Sequence, residues 1–132
     1  MDIRNEGALI TGASRGLGKE LARAFARRGA KVVLVARGEE ELSRVVDEIR
    51  AEGGEAHGLA FDVGDKEAVH RIAGAAAALV GPPSIVVHNA STLGPLPMPL
   101  LLDTDCEDLE RVLAVNLVGP FRLTKALAGP LL

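Results

Sequence analysis

The chain has 132 residues, with 15 Lys and Arg against 18 Asp and Glu, a formal net charge of −3. This gives no footing for nucleic acid or an anionic membrane surface, and the length suits a single domain over residues 1–132. Apolar residues make up 48% and aromatic residues only 2%, so the chain is no disordered tract and its core must be built from Ala, Val, Leu and Ile.

The N-terminus, Met1 to Glu6, lacks the shape of a signal peptide. Gly7–Thr11 then reads as a short apolar strand. Leu17–Arg28 follows as a helix, with Leu21, Ala22, Phe25 and Ala26 at helical spacing and Gly29 as its C-terminal cap. Lys31–Ala36 (KVVLVA) is β-branched and almost wholly apolar, as expected of a strand covered on both faces. Glu39–Glu52 is the second helix, its buried stripe formed by Leu42, Val45, Val46 and Ile49, with Gly53 closing it. Glu55–Val63 carries a third, less regular strand. Asp65 is placed to cap a helix over Lys66–Val80, which Gly81-Pro82-Pro83 stops.

Ser84–His88 (SIVVH) is a fourth buried strand, and the three prolines of Ser91–Leu102 favour a loop. A last helix starts at Thr104 or Asp105 and runs towards Leu127. No run reaches the length of a membrane span. The one cysteine, Cys106, lies between Asp105 and Glu107, reads as structural, and suits a reducing, cytoplasmic setting. The order βαβαβαβα predicts an α/β fold: a Rossmann-like, doubly wound parallel sheet of about four strands with helices on both faces. Ligands of such sheets bind at the C-terminal strand edge, where Thr11–Gly18, Ala36–Gly38, Asp62-Val63 and His88–Ser91 all fall.

TGASRGLG, residues 11–18, stands between the first strand and the first helix. Gly12 permits the tight turn, Gly16 lets the backbone approach a pyrophosphate, and Gly18 allows close helix–strand contact. The helix N–H groups then face the anion. Ser14, Arg15 and Leu17 complete the loop around these glycines.

The G-x-x-x-G-x-G spacing of this loop resembles the cofactor loop of short-chain dehydrogenases/reductases. Three further segments resemble that family in order: Asp62-Val63, His88-Asn89-Ala90-Ser91 and Ala114-Val115-Asn116-Leu117. The resemblance implies that Asp62 hydrogen-bonds adenine, that Asn89 and Ala90 border the cofactor, and that Asn116 is the catalytic Asn holding a water in a proton relay. Two residues depart from the pattern. His88 stands in place of an Asn and reads as a strand-end residue bonded to a neighbouring loop. Ser91 stands in place of a Gly, where it either donates to the nicotinamide ribose or makes a loop turn.

The place where an NAD site carries an acid reads Ala36-Arg37. Arg37 can pair with a ribose 2′-phosphate, and Arg15 adds a second cation with Ser14 a hydroxyl, so NADP(H) is expected over NAD(H). On the last helix, Leu109, Val112, Leu113, Asn116, Pro120, Leu123 and Leu127 share an arc, which predicts a buried stripe with Asn116 its polar member, either a structural Asn bonded to a neighbouring backbone, the relay Asn that the resemblance implies, or both. Pro120 cannot donate to the Asn116 carbonyl, so the helix should bend there.

The resemblance implies an NADP(H)-dependent oxidoreductase acting on a carbonyl or alcohol, with a Ser and a Tyr-x-x-x-Lys that act on a fifth strand and its helix. The chain contains no Tyr and stops before that strand. On its own it is therefore expected to be inactive, a cofactor-binding part; the alternative is a dinucleotide-binding module without catalysis, or a fragment that binds nothing. No metal site is assigned. The fourth strand and the last helix each leave apolar surface, so the chain is expected either to associate with a second copy or to belong to a longer polypeptide.

Overall fold

Along β1 (Gly7–Thr11) successive side chains point to opposite faces of a sheet, and both faces are apolar, so the strand buries completely. Leu9 enters one core and Ile10 the other. Residues 1–131 are described in a computed structural model. Four strands form one parallel sheet in the order β3-β2-β1-β4. β2 (Lys31–Ala36) and β3 (Glu55–Ala60) lie to one side of β1, and β4 (Ile85–Val87) lies to the other.

α1 (Gly16–Arg27) and α2 (Glu39–Ala51) cover one face, packing Ala22, Ala26, Leu42, Val45 and Ile49 against Ile10, Val32 and Leu34. Arg23 and Lys19 of α1 reach across to Glu52 and Glu48, at 2.9 and 3.3 Å, tying the two helices at the surface. α3 (Ala68–Val80) and the last helical rod cover the other face, packing Val69, Ile72, Leu123 and Leu127 against Leu9, Val33 and Val35.

The expected first four elements fall within a residue of the observed bounds, and four later expectations need correcting. The third helix begins at Ala68, not Lys66. Asp65 is used one turn earlier: its carboxylate accepts the Glu67 N–H at 3.0 Å and its carbonyl accepts the Ala68 N–H at 3.1 Å. β3 stops at Ala60. β4 has only three residues and is half-buried, because it is an edge strand paired to β1 alone among the described residues.

The last helix is not one regular cylinder. α4 (Cys106–Leu113) passes into a π-helical segment over Ala114–Val118 and then into α5 (Gly119–Leu131). Pro120 supplies no N–H to the Asn116 carbonyl, and the wider π turn is how the rod accommodates that loss. The extra residue per turn rotates the inward face. Val115, Leu123 and Leu127 are buried, whereas Leu109, Leu113 and Asn116, expected in the buried stripe, are exposed.

Candidate dinucleotide cleft

At the C-terminal edge of the sheet, the loops after β1, β2, β3 and β4 enclose a cleft of about 800 Å³, a volume within the range of small-molecule sites. Eight of the residues expected at the site line it: Gly12, Ser14, Arg15, Arg37, Asp62, Val63, Asn89 and Ala90. Ser91 lines it as well.

The β1 loop is stitched to the β4 loop by Thr11. Its hydroxyl oxygen accepts the N–H groups of Asn89 and Ala90 at 3.1 and 3.0 Å. The Asn89 side-chain amide donates to the Gly12 carbonyl at 3.1 Å. Gly12 turns with φ +64°, and a Cβ there would lie 2.9 Å from the Ala90 Cα, so only glycine lets the two loops touch. Gly18 is buried, and a Cβ on it would strike the Gly12 carbonyl and stand 2.5 Å from the Asn89 amide. Gly16 has φ +57° and nothing within 4 Å of its Cβ position, so the start of α1 faces open space. No side chain caps that helix start and no acid occupies its first turn. Leu17, by contrast, is exposed and lies outside the cleft wall.

Arg15 and Arg37 reach the cleft from different loops, and neither has an ion-pair partner among the described residues. Most arginines near acids elsewhere in the chain are paired, as Arg44 is to Glu40 at 2.6 Å. Asp62 is engaged on both oxygens: one accepts the Gly64 N–H at 2.8 Å, the other the Arg111 guanidinium at 2.5 Å. Burial pushes its pKa up. Arg111, the Gly64 N–H and the nearby Arg37 charge together outweigh that and hold the carboxyl below its ordinary value.

Asn116 lies outside the cleft and is exposed. Its amide makes a two-point pair with the backbone of Thr92, accepting the Thr92 N–H and donating to the Thr92 carbonyl, each at 2.8 Å. It thus anchors the start of the proline-rich loop beside Ser91. His88 bonds to Thr124 of α5 at 2.8 Å, a helix partner and not the expected loop, and burial lowers its pKa.

Sequence reasoning missed Thr11, Arg111, Val115 and the acidic start of α2. Thr11 is a polar residue ending an apolar strand, and a buried hydroxyl needs partners; that signal was present. Glu39, Glu40 and Glu41 line the cleft because the β2 loop is too short to carry them clear of it. Arg111 is distant in sequence from Asp62, so only the fold brings the two together.

The family profile described as short chain dehydrogenase matches residues 6–132. Short-chain dehydrogenase/reductase 3 of Homo sapiens is 41% identical over 126 residues, covering 95% of this chain and 41% of that protein. An uncharacterized oxidoreductase of Bacillus subtilis, YxnA, is 39% identical over 126 residues, covering 94% of this chain and 34% of its own length. Among solved structures, a metagenomic short-chain oxidoreductase in complex with NADP superposes with a TM-score of 0.89 at 36% identity, covering 98% of this chain and 57% of that one. L-Sorbose reductase from Gluconobacter frateurii, complexed with NADPH and L-sorbose, has a TM-score of 0.91 at 28% identity, covering 99% of this chain and 50% of that one. The chain therefore spans about two-fifths of the length of the human relative and about half that of the solved enzymes.

Proposed function

The chain belongs to the short-chain dehydrogenase/reductase family, and from that premise we propose that it forms the NADP(H)-binding part of an oxidoreductase acting on a carbonyl or alcohol. The observation that carries the choice of dinucleotide is the pair of unpartnered arginines, Arg15 and Arg37, in a cleft with no carboxylate at the end of β2. A ribose 2′-phosphate supplies the charge they lack, and the guanidinium fork matches its geometry. Glu39, Glu40 and Glu41 line the same cleft, so the preference rests on the local fork of each guanidinium on the phosphate and not on the net charge of the wall.

When bound, the nicotinamide ring donates or accepts a hydride. The residues of this chain bind and orient it. The open start of α1, with Gly16 and Ser14, takes the pyrophosphate. Arg37 and Arg15 take the 2′-phosphate. Asp62 and Val63 border the adenine, with the Asp62 carboxylate as acceptor. Asn89, Ala90 and Ser91 border the nicotinamide half, held in place by Thr11. Gly12 and Gly18 act indirectly by keeping β1, α1 and the β4 loop in contact. Asn116 fixes the loop after Ser91, and its backbone carbonyl, to which Pro120 can donate nothing, is the group proposed to hold a water for proton exchange with solvent.

Among the described residues no helix is long and apolar enough to cross a membrane. The lone exposed thiol, Cys106, suits a reducing, cytoplasmic compartment. We also propose self-association through the last helical rod. Leu109, Leu113, Leu117 and Phe121 recur every fourth residue along it and are all exposed, and the β4 edge offers a further apolar surface. Titrating the chain with NADPH and NADH tests the central reading: NADPH is expected to bind more tightly, and equal or tighter NADH binding would overturn it.

A further inference from the structure

The inward face of the last helical rod is a row at every fourth residue: Arg111, Val115, Gly119, Leu123 and Leu127. Its lower members pack on the sheet. Its upper three press on one short turn, Asp62-Val63-Gly64. Val115 lines the cleft beside Asp62 and Val63. A Cβ on Gly119 would strike the Val63 carbonyl. A Cβ on Gly64 would lie 2.9 Å from both the Arg111 guanidinium and Val115 Cγ2. The turn and the rod are thus shaped to each other, and glycine is required on both sides for Arg111 to reach the carboxylate.

We propose that Arg111 is a positioning residue for base recognition in this cleft. It acts through Asp62. With the Gly64 N–H on one oxygen and the Arg111 guanidinium on the other, the carboxylate is held from two directions. Its rotation about the Cβ–Cγ bond is fixed and its charge is retained. Each oxygen has two acceptor sites, so one remains on each after these bonds. A fixed, ionised acceptor in the cleft wall selects a base with an exocyclic amine and disfavours one with a carbonyl there, which would set two acceptors face to face. The ligand class is therefore an adenine nucleotide over its deaminated, hypoxanthine counterpart. This rests on the dinucleotide reading above.

The test is binding of NADPH and of nicotinamide hypoxanthine dinucleotide phosphate (reduced) to the whole chain, for the wild type and for Arg111→Gln and Arg111→Lys. The wild type is expected to prefer NADPH by about tenfold or more, the scale of one hydrogen bond to a charged acceptor. Arg111→Gln is expected to reduce that ratio to about twofold, with Arg111→Lys, which keeps the charge but not the fork, in between. A merely structural role would weaken both dinucleotides alike and leave the ratio unchanged, and that result overturns the proposal. So does a ratio that rises in Arg111→Gln, which would mean that Arg111 competes with the ligand for Asp62. Should Arg111→Gln not fold, the ratio in Arg111→Lys decides alone: a wild-type value overturns the proposal. Failure of the wild type to bind either dinucleotide overturns the underlying reading instead.

Discussion

Two glycines two residues apart in the loop but opposite in surroundings separate folding from binding. Gly18 is packed against the Gly12 carbonyl and the Asn89 amide, while the Cβ position of Gly16 meets nothing within 4 Å. Gly18→Ala is expected to destabilise the chain by about 1–3 kcal/mol, the usual cost of overpacking. Gly16→Ala carries only the strain of a positive φ, about 1–2 kcal/mol, yet its methyl group would stand where the proposed reading puts the pyrophosphate. Urea unfolding with NADPH titration checks both: Gly18→Ala should lose more stability, and Gly16→Ala should lose more affinity per unit of stability lost. Asp62 gives a second prediction. Burial raises its pKa, but Arg111, the Gly64 N–H and Arg37 lower it further, so its folded value lies below its unfolded one. Its contribution is thus present above about pH 4, the unfolded range, and is lost as pH falls through the folded value. Acid unfolding followed by circular dichroism should show a shallower acid limb in Asp62→Asn than in the wild type. The roles of Gly12, Gly16 and Gly18 were legible from the motif. The engagement of Asp62 was not, since its partner Arg111 lies on α4 and no local pattern links them.

At the scale of elements, the π segment decides what the last rod does. It turns Asn116 outwards, to a two-point bond with Thr92 at 2.8 Å. Asn116→Ala is expected to cost about 1 kcal/mol, the net value of hydrogen bonds at an exposed site. Its main effect should be faster amide exchange over Ser91–Leu102; unchanged exchange there would show that the pair does not anchor the loop. The elements β1, α1, β2 and α2 were readable to within a residue, because apolar runs and helical stripes there are strong and glycines or charged turns punctuate them. The rod was misread because a wheel with a constant 100° per residue cannot hold a π turn. Pro120 did signal a break, but a missing N–H says that the helix must adjust and not by how much its face rotates. Asp65 misled for a related reason, since a cap and an isolated turn before the helix use the same side chain.

For the molecule as a whole, burial is lopsided. The sheet is covered on both faces, while Leu109, Leu113, Leu117 and Phe121 stand in water along one side of the rod. The proposed self-association would cover them in a concentration-dependent dimer, and Phe121→Glu in that row should shift it to monomer; sedimentation at several concentrations reads this directly. The helical spacing foretold apolar surface on this helix, but the buried and exposed rows were interchanged in part. The cleft was the most legible feature at this scale, because a βαβ order sends every strand's C-terminal end to the same edge. The central claim is that this edge holds a dinucleotide by its 2′-phosphate. Calorimetric titration of the chain and of Arg37→Gln with NADPH and NADH tests it most directly. NADPH should bind the wild type at least about tenfold more tightly than NADH, and Arg37→Gln should erase most of that difference, as loss of a charged hydrogen bond requires. Equal or tighter binding of NADH by the wild type, or a preference untouched in Arg37→Gln, would contradict it.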